Sequence, residues 1–152
     1  MRTLLAAACL ATALTPAFGA DRWQAVMPAL GKGAATCFDP DIPGDVYCAA
    51  LLCDRNTLSF GVMGYDKGEA GPAMDAIIDI DSVAETRRME SRMLAGVLLQ
   101  ILTPVSASDA LYQRLISGQR LRISMGSPVR VFEYTLDGAA QTFPPVAAAC
   151  KQ

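Results

Sequence analysis

The most definite chemistry in this 152-residue chain belongs to its cysteines: of five, Cys9 falls in an N-terminal stretch that reads as a cleavable export signal, which leaves Cys37, Cys48, Cys53 and Cys150. An even count in an exported chain predicts two disulfides. A metal centre is not expected: the chain has no histidine, and the Cys48–Cys53 spacing is wider than a zinc knuckle. A thioredoxin-like redox pair is excluded too, because four residues separate Cys48 from Cys53 where that motif has two. Cys48 and Cys53 share what reads as one strand at an odd separation, so they face opposite ways and do not pair with each other. Two connectivities remain. Cys37–Cys48 could close a hairpin over the turn-rich Asp39–Asp45 segment while Cys53 ties Cys150 back, or Cys37–Cys53 could form with Cys48–Cys150. Either staples the C-terminus across most of the chain, a loop of roughly 100 residues worth ~4–5 kcal/mol in the chain-entropy model.

Without histidine, Ser-His-Asp and Cys-His catalysis are excluded, and no phosphate-binding or dinucleotide-binding glycine motif is present. Carboxylates are the remaining candidates for acid–base work. Asp79 and Asp81, two apart, are expected on one strand face, a spacing a two-carboxylate hydrolase can use; the competing reading is an ordinary solvated strand face. Glu85, Glu90 and Glu133 have no recognisable partner. Asp39, Asp41 and Asp45 with Gly44 resemble a calcium loop, but Pro43 stands where that loop needs an oxygen ligand and Ala50 where it needs a glutamate. A polar turn fits better. Met63, Met74, Met89, Met93 and Met125 read as core and sheet-face filler rather than a copper site. Trp23, the single tryptophan, reads as a core anchor. No catalytic residue, metal or cofactor is assigned.

Charge is unevenly placed. Residues 21–86 carry 4 basic and 11 acidic groups, and residues 87–152 carry 8 basic and 4 acidic. The halves either interleave and neutralise each other or build a basic face from Arg87, Arg88, Arg92, Arg120, Arg122 and Arg130. In the second case Arg120, Arg122 and Arg130 are the candidate binding residues for an anionic partner. Arg120 and Arg122 oppose Leu121 and Ile123 by strand alternation, and a tight Gly126-Ser-Pro128 turn is expected to bring Arg130 beside them. Asp79 and Asp81 are the internal partners that would neutralise the patch. The overall balance, 13 basic against 15 acidic residues, does not point to nucleic acid.

The elements that hold these residues begin after residue 20. Residues 1–20 read as a cleavable signal peptide: Arg2, an apolar Leu4–Leu14 run, Pro16, then small residues, with cleavage before Ala20 or Asp21. That run is too short to cross ~30 Å of hydrocarbon, and no later segment is long and apolar enough, so the chain is not expected to span a membrane. Residues 21–152 then form one domain, periplasmic or secreted. Within it, Trp23 opens a strand or extended entry, and Gly31-Lys-Gly33 reads as a turn. Val46–Cys53 is a buried strand, and Asp54-Arg-Asn56 turns into an alternating strand through Leu58, Phe60 and Val62. Lys67–Pro72 is a loop, and Met74–Asp81 alternates again. Residues 83–105 fit either strands broken at Gly96 or a helix, ended by Pro104. Ser106 or Ser108 caps a helix running to Ser117, with Gly118 at its C-cap. Gln119–Met125 and Val129–Leu136 form a hairpin. A short helix starts near Pro144 or Pro145 and runs to Cys150. Six to eight hairpin-linked strands with one or two helices predict a mainly β domain, an antiparallel β-sandwich or partly rolled sheet. Leu58, Phe60, Val62, Ile78, Ile80, Leu121 and Ile123 are its expected core.

The mature chain resembles the small exported proteins of Gram-negative bacteria related to the invasion-associated locus B family. The similar features are Trp23 close behind the signal peptide, the cysteine-bearing strand pair near residues 37–53 ending Cys53-Asp54, and the Leu115-Ile-Ser-Gly-Gln-Arg-Leu-Arg-Ile123 segment. The last is the ending from Phe132-Glu-Tyr-Thr-Leu-Asp-Gly138 to Ala149-Cys150. The resemblance implies a periplasmic or surface β-sandwich without known catalysis, associated in some members with host-cell invasion; it carries over no site residue. The expected function is a non-catalytic binding or interaction module, its partner an unknown protein or an anionic envelope component. An inhibitor of an exogenous lysozyme or protease is the alternative, and a hydrolase using Asp79 and Asp81 the third reading.

Overall fold

Alternation of apolar and polar side chains turns most of this chain into strands. The computed structural model describes residues 22–25, 32–37, 47–65, 70–94 and 98–151. These contain β1 (Gln24–Ala25), β2 (Lys32–Cys37), β3 (Tyr47–Asp54), β4 (Thr57–Tyr65), β5 (Met74–Ile80), β6 (Val83–Leu94), β7 (Leu98–Pro104), α1 (Ala110–Ser117), β8 (Arg120–Met125), β9 (Arg130–Thr135) and α2 (Ala139–Cys150). The expected signal peptide and the Asp39, Asp41 and Asp45 turn lie outside the described residues.

Every strand pairing is antiparallel, in the order β1-β2-β3-β4-β7-β6-β5-β8-β9. The long strand β6 makes the roll. Its first half, Val83–Met89, pairs with β5, and its second half, Glu90–Leu94, pairs with β7. One strand therefore belongs to two differently oriented stretches of sheet. Of the two architectures expected, the partly rolled sheet is the one formed, and it does not close into a barrel.

The open ambiguity over residues 83–105 resolves as strands. The Leu98–Leu102 run has no visible period because both of its faces are buried. Ile101 joins the main core, while Leu98 and Leu102 join a second cluster with Ala50, Leu52 and Met63 on the outer side of β2, β3, β4 and β7. The main core lies inside the roll, and all seven expected core residues are in it. Trp23 anchors it, with its ring edge-on to Phe143 at 4.6 Å and its Nε1 donating to the Thr135 carbonyl.

Both helices close the roll, and both differ locally from expectation. The N-cap of α1 is Asp109, whose Oδ1 accepts from Leu111 N at 2.9 Å; Ser106 and Ser108 bond each other instead. Gly118 is the C-cap but is extended, so left-handed freedom is not its role. A Cβ there would lie 2.5 Å from Ile80 Cγ2 and 2.8 Å from the Arg114 carbonyl oxygen. Glycine is needed because α1 leaves against β5 with no room to spare. Helix α2 begins at Ala139, before Pro144 and Pro145, which lie inside it. Both prolines face solvent while Phe143, Val146, Ala147 and Cys150 are buried, so packing holds a helix that propensity alone would break. Lys32 and Gly33, expected in a turn, belong to β2, because Gly33 pairs with Leu52.

The disulfides are Cys37–Cys48 and Cys53–Cys150, the first of the two connectivities. Cys37 and Cys48 are directly opposed in the β2–β3 register. Cys53 faces the inside of the roll, where it meets the end of α2.

Candidate functional site

Strand alternation sends Ala76, Ile78, Ile80, Leu121, Ile123 and Met125 into the core, so Asp75, Ile77, Asp79, Arg120, Arg122 and Ser124 face outward. The register then sorts the outward residues into rows. Asp79 lies opposite Arg122, which lies opposite Glu133. The neighbouring row is Thr86, Ile77, Ser124 and Val131. Beyond it Asp75 faces Arg88, with Oδ1 3.3 Å from Nη1. The result is a four-stranded face on which a row of alternating polar and apolar residues runs between two charged rows. Ile77 is 50% and Val131 45% exposed, and Val129 at the adjoining hairpin tip is 68% exposed.

One end of this face is an open depression of about 650 Å³, lined among others by Asp79, Asp81, Arg120, Arg122, Glu133 and Thr135. The two aspartates are not the pair expected. Asp81 has left the strand: it and Ser82 form the β5–β6 turn with φ of 51° and 71°. Its two carboxylate oxygens accept from the backbone nitrogens of Gln119 and Arg120, each at 2.9 Å. Asp79 Oδ1 accepts from Ser82 N at 2.9 Å, closing the same turn. Short polar side chains that bond nearby backbone are favoured in such turns. Both carboxylates are thus occupied in fastening a turn to the start of β8, and they do not face each other across a substrate-sized gap. Burial pushes the Tyr134 phenol up, and its hydroxyl donates to the Tyr47 carbonyl at 3.1 Å. It is a structural donor rather than an acid–base group.

Of the three candidate arginines, the fold brings together two. Arg120 and Arg122 share the outward face. Arg130 does not join them, because it is register-paired with Met125 and so belongs to the face of Phe132 and Tyr134. Its Nη1 donates to Tyr47 Oη at 3.1 Å, and its guanidinium sits 5.6 Å from the Tyr47 ring centre. The reason is the count across the turn: Gly126–Val129 puts four residues between Met125 and Arg130, and the register follows from that. Arg122 is not opposed by a free anion site either, since its Nε lies 3.6 Å from Glu133 Oε1.

The rest of the basic half is largely neutralised by the acidic half. Arg92 pairs with Asp54 at 2.7 Å and Arg88 with Asp75. Arg87 and Arg114 both engage Glu85, and Arg87 also reaches Asp109 at 2.6 Å. Glu85 and Glu133 therefore have partners that spacing did not reveal. The exposed Ile77–Val131 row was missed as well. Its signal was present as an apolar residue at an outward position, Ile77 between Asp75 and Asp79, but Val131 joins it only through the register. Among the described residues no group of three or more Cys, Asp or Glu is placed to hold a metal ion.

An open, rolled antiparallel sheet packed with two helices and cross-linked by two disulfides defines a disulfide-stapled β-domain. The chain is similar in fold to the crystal structure of invasion associated protein b from Bartonella henselae, at a TM-score of 0.52 and 10% sequence identity, over 86% of this chain and 93% of that one. No protein-family model matches the sequence, and no curated protein matches it significantly. Two disulfides fit an oxidising compartment, and among the described residues no helix is long and apolar enough to cross a membrane.

Proposed function

We propose that this is an exported, non-catalytic interaction module, working in the periplasm or outside the cell, that engages a protein partner through the outer face of β6, β5, β8 and β9. The observation that carries the reading is the Thr86–Ile77–Ser124–Val131 row between two charged rows. Two exposed aliphatic side chains, Ile77 and Val131, set among small polar residues and rimmed by both signs of charge, suit a protein surface. Arg120 and Arg122 contribute to the rim. Asp79 and Glu133 stand beside them, so the face is mixed in sign and favours a protein over a purely anionic envelope component. The depression beside the face is open and its aspartates are spent on a turn, which supports binding over hydrolysis. The fold likeness to an invasion associated protein is compatible with a partner outside the cytoplasm.

The test is cross-linking capture from envelope extract with the mature protein, compared with Ile77→Asp and Arg122→Glu. A partner of this face should be captured by wild type and by an Arg92→Gln control, and lost from both face variants. Central interface residues commonly carry ~2 kcal/mol or more, so a loss of about 30-fold in recovered partner is expected. Equal capture by all four proteins would remove this face from the function.

A further inference from the structure

A second cleft lies along the β7-paired half of β6. It encloses about 240 Å³. Asp54 and Arg55, at the tip of the β3–β4 hairpin, form one wall, and Glu90 and Arg92 of β6 form the other. Strands β4 and β7 run between those walls, so Ser59, Leu102 and Pro104 make the floor.

Arg92 is fixed from two directions. Its Nε donates to Gln100 Oε1 at 2.8 Å, and its Nη1 donates to Asp54 Oδ2 at 2.7 Å, reaching past β7 and β4. Gln100 is 2% exposed and alternates with Leu98 and Leu102 on the face of the second apolar cluster. Burying an amide in such surroundings is costly unless it is hydrogen-bonded. An arginine that served only to meet solvent or a neighbouring aspartate would need no buried amide behind it. Gln100 sets the guanidinium in one orientation, and a group ordered in advance loses less freedom when it binds.

The cleft holds two charges of each sign, Arg55 and Arg92 against Asp54 and Glu90. The Asp54–Arg92 pair closes one side. Glu90 and Arg92 stand two apart on one face of β6, ~6–7 Å along the strand. A carboxylate and a guanidinium at that spacing suit an ammonium and a carboxylate carried on the same carbon atom. Each contact is then a charge-assisted hydrogen bond. Arg55 supplies a second positive charge in the same cleft, and Leu102 and Pro104 give a small apolar surface for a short side chain. We propose that this cleft binds a free α-amino acid with a short side chain, its ammonium on Glu90 and its carboxylate on Arg92. The site lies apart from the Ile77–Val131 face and does not require the protein partner proposed above.

The experiment is a titration of the isotope-labelled mature protein, followed by its backbone amide chemical shifts. The probes are glycine, L-alanine and L-serine at millimolar concentration. N-acetyl-L-alanine, which lacks the ammonium, and L-alaninamide, which lacks the carboxylate, are the paired controls. The three amino acids should move the signals of Ser59, Glu90, Arg92 and Leu102 saturably, and each control should bind about tenfold or more weakly. Glu90→Gln should weaken L-alanine by a similar factor. Gln100→Leu should do the same while leaving every group that lines the cleft in place, because Gln100 is a positioning residue. Gln100→Glu keeps an acceptor for Arg92 Nε and should restore binding to within about threefold of wild type. Near-ultraviolet circular dichroism checks that each variant is folded; if Gln100→Leu does not fold, Glu90→Gln and the two controls still decide. No saturable shift with any of the three amino acids overturns the proposal. So does equal binding of L-alanine and its controls, or unchanged affinity in folded Glu90→Gln or Gln100→Leu. Because no other protein is present, failure here leaves the capture experiment standing, and the reverse holds as well.

Discussion

Asp109 Oδ1 receives two donors, Arg87 Nη2 at 2.6 Å and Leu111 N at 2.9 Å, so one carboxylate both caps α1 and ties it to β6. The tie lies in the β5-paired half of β6, just before that strand passes from β5 to β7, next to Glu85, which Arg87 and Arg114 share. Burial by itself would raise the Asp109 carboxyl. The hydrogen bond from Arg87, the bond from Leu111 N–H and the Arg87 charge together outweigh it and hold the carboxyl below its ordinary value.

A depressed folded-state carboxyl contributes stability above its unfolded pKa and loses it as pH falls through the folded one. Asp109→Asn keeps an N-capping side chain but removes the charge, and should cost about 1–2 kcal/mol at pH 7. The gap between wild type and variant should shrink steadily below about pH 4. Urea melts at pH 7 and pH 3 measure it; a gap that is the same at both values would show that the charge contributes nothing.

The two disulfides should differ in weight. Cys53–Cys150 spans a sequence separation of 97 and Cys37–Cys48 one of 11. The chain-entropy relation gives ~4.7 kcal/mol for the longer loop and ~2.8 kcal/mol for the shorter. Replacing Cys53 and Cys150 by Ala should therefore lower the denaturation midpoint more than replacing Cys37 and Cys48. The reverse order would indicate that the hairpin bond, not the C-terminal staple, holds the roll. Thiol titration of the unfolded, unreduced mature protein should find no free thiol.

Asp81 is expected to matter for folding and not for turnover. Asp81→Ala strips two backbone N–H groups of their acceptor and should cost about 1–3 kcal/mol in thermal or urea melts. Asp81→Asn, which retains an acceptor oxygen and the tolerance of asparagine for positive φ, should recover more than half of the loss. If Asp81→Ala melts within ~0.3 kcal/mol of wild type, the turn does not depend on that carboxylate and its chemistry must be sought elsewhere.

Much of this protein was legible from its residues. The alternation of Leu58, Phe60 and Val62, of Ile78 and Ile80, and of Leu121 and Ile123 specified strands with one buried face, because a period of two admits no other regular element. The resemblance carried by Trp23, the cysteine strands and the Phe132–Gly138 ending pointed to the fold that the comparison with a solved structure found. The four cysteines beyond residue 20 implied two bonds, but only the fold chose between the pairings, since the β2–β3 register sets Cys37 against Cys48. Residues 98–102 hid their period because the roll buries both of their faces. The candidate surface was the least legible part. The expectation of Arg130 beside Arg120 and Arg122 rests on a tight Gly126-Ser-Pro128 hairpin, and that of Asp81 beside Asp79 on counting along one strand. Which residues share a face is decided between strands, by the length of a turn and by where a strand stops. Those are tertiary facts: a difference of one residue at Gly126–Val129 would reverse every side chain of β9.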